Sequence, residues 1–124
     1  MSRPVNVLLV DDDVWLLEHY TDLLSAAGHQ VISAKNAVVA IDLIDKQAPD
    51  VIVLDVLLPG ATGFSLLHEL QSYDDTATVP VIICSGLTDD LSLDDLAPYG
   101  VRRLLDKTTM TPDDLLAAVR SVTL

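Results

Sequence analysis

The order of apolar runs along this 124-residue chain predicts an α/β fold, a single doubly wound parallel sheet of five strands alternating with five helices. Three observations carry that expectation. Four aliphatic runs, at residues 7–10, 51–54, 81–84 and 101–105, are bounded by Gly, Pro or Asp and read as strands buried on both faces. Amphipathic segments with helical spacing lie between them. Each run also ends on residues suited to phosphate or a metal, namely Asp11-Asp12-Asp13, Asp55, Ser85 and Asp106-Lys107. In open α/β sheets ligands bind at the carboxyl ends of strands, so these residues are expected to share one crevice.

The elements follow in order. Asp13 is an N-cap for a first helix whose Leu16, Tyr20, Leu23, Leu24 and Ala27 make one stripe, stopped by Gly28. A short strand over 30–34 comes next. Asn36 caps a second helix with Ala37, Ala40, Ile41 and Ile44 facing inward, ended by Ala48-Pro49. After Asp55 the loop Leu58-Pro59-Gly60-Ala61-Thr62-Gly63 leads to a helix carrying Phe64, Leu67 and Leu70. Residues 72–78 form a polar connector closed by Pro80. The segment 88–98 holds four Asp residues and Pro98, so its helix is expected to be short or mobile. Thr111-Pro112-Asp113-Asp114 is a helix start, with a capping hydroxyl, Pro at the first helical position and acids in the first turn, and Leu115, Leu116 and Val119 give that last helix its buried face.

Composition bounds the function. The length fits one domain, residues 1–124, and half of it is apolar with one Trp, three Tyr and one Phe, so the core must be aliphatic. A net charge of −12 with seven scattered basic residues argues against direct nucleic-acid or membrane-surface binding. No apolar run approaches a bilayer span or a signal segment, so the expected location is cytoplasmic. The lone Cys84 is expected to fill the end of a buried strand. His19, His29 and His68 lack metal-ligand spacing and are read as surface residues.

Asp11, Asp12 and Asp55 at adjacent strand ends would repel, by on the order of 4 kcal/mol for two charges about 4 Å apart at an effective dielectric near 20. A cation must stand among them. Hard oxygen ligands suit Mg²⁺ or Mn²⁺, Ser85 offers a hydroxyl donor, and Lys107 offers a point charge. Together they form a clamp for the oxygens of a transferring phosphoryl group, with one acid as nucleophile. Taken singly, Asp13 is a cap, Ser85 a turn residue and Lys107 a surface charge. Only the four strand ends together specify this chemistry.

On these residues the chain resembles the receiver domain of two-component response regulators, a flavodoxin-like (βα)5 fold of the CheY-like superfamily. Asp11-Asp12-Asp13 is similar to that family's acidic pair with a third acid added. The stretch Leu54-Asp55-Val56-Leu57-Leu58-Pro59-Gly60 resembles its phosphoacceptor loop, and Ser85-Gly86 and Lys107 resemble its hydroxyl, small residue and lysine. The resemblance implies that Asp55 accepts a phosphoryl group, that Asp12 binds Mg²⁺ directly and Asp11 through water, and that Leu57 lends its backbone carbonyl. It also implies that Ser85 and Lys107 hold the phosphoryl oxygens. Three positions depart from the pattern. Leu104 occupies the switch position where an aromatic is usual, Thr108 follows the lysine in place of proline, and Thr62 stands where Asp is common before the loop glycine. A trans Lys107–Thr108 bond is therefore expected, since cis without proline costs about 2.5 to 4 kcal/mol.

The leading functional expectation is a phosphoacceptor module, not a classical enzyme, loaded by a sensor histidine kinase or phosphotransfer protein and read by a downstream protein or an output domain beyond this chain. A stand-alone regulator and the N-terminal part of a longer protein are both consistent with the sequence, and oligomeric state is left open. The alternative is a degenerate receiver serving as a phosphorylation-independent interaction module, motivated by Leu104 and Pro98. An aspartyl phosphatase is disfavoured, because no second acid lies two residues after Asp55.

Overall fold

A computed structural model describes residues 4–55, 63–86 and 92–123. Along the chain run β1 (Asn6–Val10), α1 (Val14–Ala26), β2 (Gln30–Ala34), α2 (Ala37–Lys46), β3 (Val51–Leu54), α3 (Gly63–Gln71), β4 (Val81–Ser85), α4 (Leu93–Leu96), a 3-10 turn (Ala97–Tyr99), β5 (Val101–Asp106) and α5 (Pro112–Val122). The five strands form one parallel sheet in the order β2-β1-β3-β4-β5. Among the described residues no helix is long and apolar enough to cross a membrane.

Strand alternation sorts the core into two layers. Leu8, Val10, Ile52, Leu54 and Ile83 face α2 and α3, meeting Ala40, Ile44, Leu66, Leu67 and Leu70. Val7, Leu9, Val51, Val53, Ile82 and Cys84 face α1 and α5, meeting Leu17, Tyr20, Leu24, Leu115 and Val119. The central strands β1, β3 and β4 are thus buried on both faces, as their unbroken aliphatic runs require.

The helix starts follow the capping chemistry of the sequence. Asp13 accepts from the N–H groups of Trp15 and Leu16, and Asn36 from that of Val39. Thr111 and Asp114 close a reciprocal capping box, with Pro112 in the first turn. Gly28, at φ 95°, turns the chain out of α1. Of the segment 88–98, residues 88–91 lie outside the described residues; within the rest α4 spans four residues and gives way to the 3-10 turn at Pro98.

Several expectations need correction. The β5 run is not buried on both faces: as an edge strand it buries Val101 and exposes Arg102 and Arg103. Its ladder to β4 is bulged, since Val81 faces Val101 while Ile82 faces Arg103, leaving Arg102 unmatched. Ala27 lies outside the buried stripe of α1, which is Leu17, Tyr20 and Leu24, and Phe64 is 41% exposed while Leu66 is buried. His29 is not a surface residue. It is 7% exposed, and its Nδ1 accepts from the Val5 N–H at 3.3 Å, satisfying a buried donor just before β1.

Candidate functional site

The alternation that builds the core also builds the rim at the carboxyl ends of the strands. Backbone pairing runs one residue past β1 and β3: the Asp11 N–H donates to Ala34 O at 3.1 Å and the Asp55 N–H to Val10 O at 2.9 Å. Asp11 therefore continues the phase of Val7 and Leu9, Asp55 that of Val51 and Val53, and Lys107 that of Leu105. All three side chains fall on the α1/α5 side and meet. The Lys107 Nζ lies 2.5 Å from Asp11 Oδ2 and 2.8 Å from Asp55 Oδ2.

The acidic triplet divides its work. Asp11 is buried, with Oδ1 accepting from the Asp13 N–H at 3.0 Å and Oδ2 on Lys107. Asp12 is exposed, and Asp13 is occupied as the α1 cap. One oxygen each of Asp11, Asp12 and Asp55 lies within 4.8 Å of the others. Three hard carboxylate donors at this spacing, one of them open to solvent, fit Mg²⁺ or Mn²⁺. Burial raises the Asp11 carboxyl above its ordinary value, against the opposing pulls of Lys107 and the Asp13 N–H. Burial acts to lower Lys107, but its hydrogen bonds to Asp11 and Asp55 outweigh that and leave it raised. The ammonium is the cation that the clustered acids demand.

Ser85 is fully buried at the end of β4, and its carbonyl accepts from the Lys107 N–H at 3.1 Å. Gly86 is exposed, and a Cβ there would meet nothing within 4 Å. Leu104 faces Ile83 across the ladder and packs, half-buried, against the α2/α3 layer together with Tyr99. Leu57, and with it the expected backbone carbonyl, lies outside the described residues, as do residues 58–62 of the loop, Thr62 included, while Gly63 begins α3.

Two features were not read from the sequence. Asp106 Oδ1 accepts from both the N–H and the hydroxyl of Thr108, at 2.8 and 2.6 Å, and Asp106 O accepts from the N–H groups of Thr109 and Met110. This turn shapes the loop after Lys107 with a trans bond, taking the place of proline. The Asp-x-Thr pattern was the signal for it. Behind the rim, the Cys84 thiol donates to Met110 Sδ at 3.4 Å, with the Tyr20 hydroxyl 4.0 Å away on its other side. Nothing in the sequence joins those three.

Comparison with known proteins matches residues 7–120 to the response regulator receiver domain. The chain belongs to that family. This receiver domain is 35% identical to PilH of Pseudomonas aeruginosa over 77 residues, covering 62% of the chain and 64% of PilH. It is 32% identical to the polar-differentiation response regulator DivK of Brucella anthropi over 79 residues, 64% of each. With the response regulator MprA of a Mycobacterium species it shares 38% over 79 residues, 64% of this chain and 34% of MprA. The matched segments thus span less than two thirds of these relatives. The receiver domain superimposes on the chemotaxis response regulator CheY4 of Vibrio cholerae with a TM-score of 0.84 and 25% identity, covering 97% of this chain and 99% of that one. NtrX of Brucella abortus gives a TM-score of 0.86 at 25% identity over 98% of this chain and 27% of NtrX.

Proposed function

We propose that residues 1–124 form one receiver domain, cytoplasmic, that accepts a phosphoryl group on Asp55 from a phosphohistidine of a sensor histidine kinase or phosphotransfer protein. The reading rests chiefly on Asp55 sitting on Lys107 beside Asp11 and Asp12 at the rim. In the transfer an Asp55 carboxylate oxygen forms a bond to phosphorus as the phosphorus–nitrogen bond to the donor imidazole breaks, and the imidazole leaves with that electron pair. Lys107 exchanges part of its bonding from Asp55 to the phosphoryl oxygens, keeping Asp11 as counter-ion. Ser85, one residue beyond the β4 core, supplies a hydroxyl donor. Asp11, Asp12 and Asp55 would hold Mg²⁺, with Mn²⁺ as substitute. When bound, that ion supplies positive charge that neutralises phosphoryl oxygens.

The phosphorylated surface is then read by a downstream protein or an output domain. The exposed Val14 and Trp15, 49% and 82% accessible in the first turn of α1 beside Asp12 and Asp13, lie where a phosphodonor protein reaching Asp55 would touch.

The test is labelling with acetyl phosphate with and without millimolar Mg²⁺. Stoichiometric, Mg²⁺-dependent acyl phosphate is expected on the parent, none on Asp55→Asn, and little on Asp12→Ala. Label that persists in Asp55→Asn overturns the assignment, and a parent that takes no label is a phosphorylation-independent interaction module instead.

A further inference from the structure

We propose that the outer edge of β2 binds an extended cationic segment of a partner protein, which adds a sixth strand to the sheet. The sheet has two edges, β2 and β5, and they are treated differently. Exposed edges invite pairing with other chains, and proteins guard them with charge, proline or bulges. β5 is guarded by exposed Arg102 and Arg103 and by the bulge at that point. β2, with the sequence Gln-Val-Ile-Ser-Ala, has no charge and no proline, and its register with β1 is unbroken.

Its backbone is set out for pairing. The Gln30 N–H donates to Val5 O and Ala34 O accepts from Asp11, so Gln30, Ile32 and Ala34 turn their polar groups toward β1. By alternation, Val31 and Ser33 turn an N–H and a C=O each away from the sheet. A cleft flanks the strand on each side. On the α1 side an open cleft of about 690 Å³ is lined by Glu18, Asp22, Ser33 and Lys35 among others. On the α2 side a smaller one of about 180 Å³ is lined by Ile32, Leu43, Ile44 and Pro49, with Ile32 48% exposed.

These flanks describe the occupant. An added strand sends alternate side chains to the two sides, so it meets acids on one and aliphatic groups on the other. Glu18 and Asp22 lie one turn apart on α1, against the single cation Lys35, and favour Lys or Arg in the partner. The α2 side favours Val, Ile or Leu. A second copy of this chain is a poor occupant, because each carries a net charge of −12.

The probe is an end-blocked octapeptide of alternating Lys and Val, titrated into isotope-labelled protein, with a Glu-Val octapeptide as control. Saturable amide shifts centred on Val31 and Ser33 are expected with the Lys-Val peptide only. Ser33→Pro removes one outward N–H and leaves the β1 ladder intact, and should weaken binding about tenfold, as expected for an unmade buried hydrogen bond. Ile32→Arg copies the guard on β5 at an exposed side chain and should do the same, so a folding defect in the proline variant, read from its melting temperature, leaves the test intact. Glu18→Gln with Asp22→Asn should flatten the salt dependence. Equal binding by Ile32→Arg, equal binding of the Glu-Val peptide, shifts centred on Asp12 and Asp55, or self-association through β2 would each overturn the proposal.

Discussion

The backbone N–H of Lys107 donates to the carbonyl of Ser85 at 3.1 Å, so the residue that carries the charge of the rim is tied to β4 independently of its side chain. Truncating that side chain should therefore remove the charge without freeing the loop. Among the described residues the ammonium is the cation that both Asp11 and Asp55 contact, and its side chain keeps 17% exposure. For Lys107→Met we expect a loss of about 3 kcal/mol in metal-free buffer at pH 7, the low end for breaking a buried pair. The deficit should shrink in millimolar Mg²⁺, and as pH falls and Asp11, whose carboxyl burial holds above its ordinary value, takes up a proton. Urea unfolding with and without the metal measures it, and an equal deficit in both would mean that charge is not what Lys107 contributes.

Alkaline pH should unfold this domain early, and Cys84 should begin it. Burial pushes its thiol from 9.0 to about 11, the Tyr20 hydroxyl is raised from 10.0 chiefly by burial, and Lys107 is raised from 10.5 by its carboxylate partners. In each case the folded state holds its proton more tightly than the unfolded chain. The stabilisation is thus complete below pH 9 and is lost as pH rises, first between pH 9 and 11 through Cys84. The slope from the thiol approaches about 1.4 kcal/mol per pH unit. Urea midpoints from pH 8 to 10.5 should fall in the parent and fall less steeply in Cys84→Ala; a flat parent profile contradicts the burial argument.

Activation should act on residues 92–99. Leu104 has no ring to swing; it packs against the same core layer as Tyr99, which meets His68 edge-on at 4.9 Å. The four-residue α4 and its 3-10 extension hold to the core through the buried Leu96. Closure of Ser85 on a phosphoryl group would be transmitted as a shift of that short segment, a change in populations without an aromatic rotamer. Amide shifts and hydrogen exchange with beryllofluoride should change across 92–99. Changes restricted to the neighbourhoods of Asp55 and Lys107 would assign the readout to the rim itself.

Local chemistry was legible in the sequence wherever neighbours along the chain decide it. The caps Asp13, Asn36 and Thr111, the bounds of β2 and the shortness of α4 all stand as expected. So does the meeting of Asp11, Asp12, Asp55 and Lys107, because strand ends of one parallel sheet must share a rim. What failed depends on distant partners. Adjacent leucines such as Leu16 and Leu17 satisfy the helical period equally, and only the position of the sheet selects Leu17 as the buried one. His29 is buried by a donor 24 residues away. Phe64 fits the stripe of α3, yet sits in its first turn on the exposed side.

The bulge in β5 has a bearing on the lysine five residues downstream. Counted from Val101 along a regular strand, Lys107 would have the parity of Val101 and project toward the α2/α3 layer, away from both carboxylates. The unmatched Arg102 reverses that parity, and Leu104 instead shares a side with Val101 while Leu105 and Lys107 take the other. The bulge absorbs that extra residue at the far end of the strand from the chemistry, and so keeps the positive charge on the side of the sheet that holds Asp55. Shedding that residue would straighten the ladder and leave the lysine where it is, whereas adding one more without a second bulge would turn it away from Asp55.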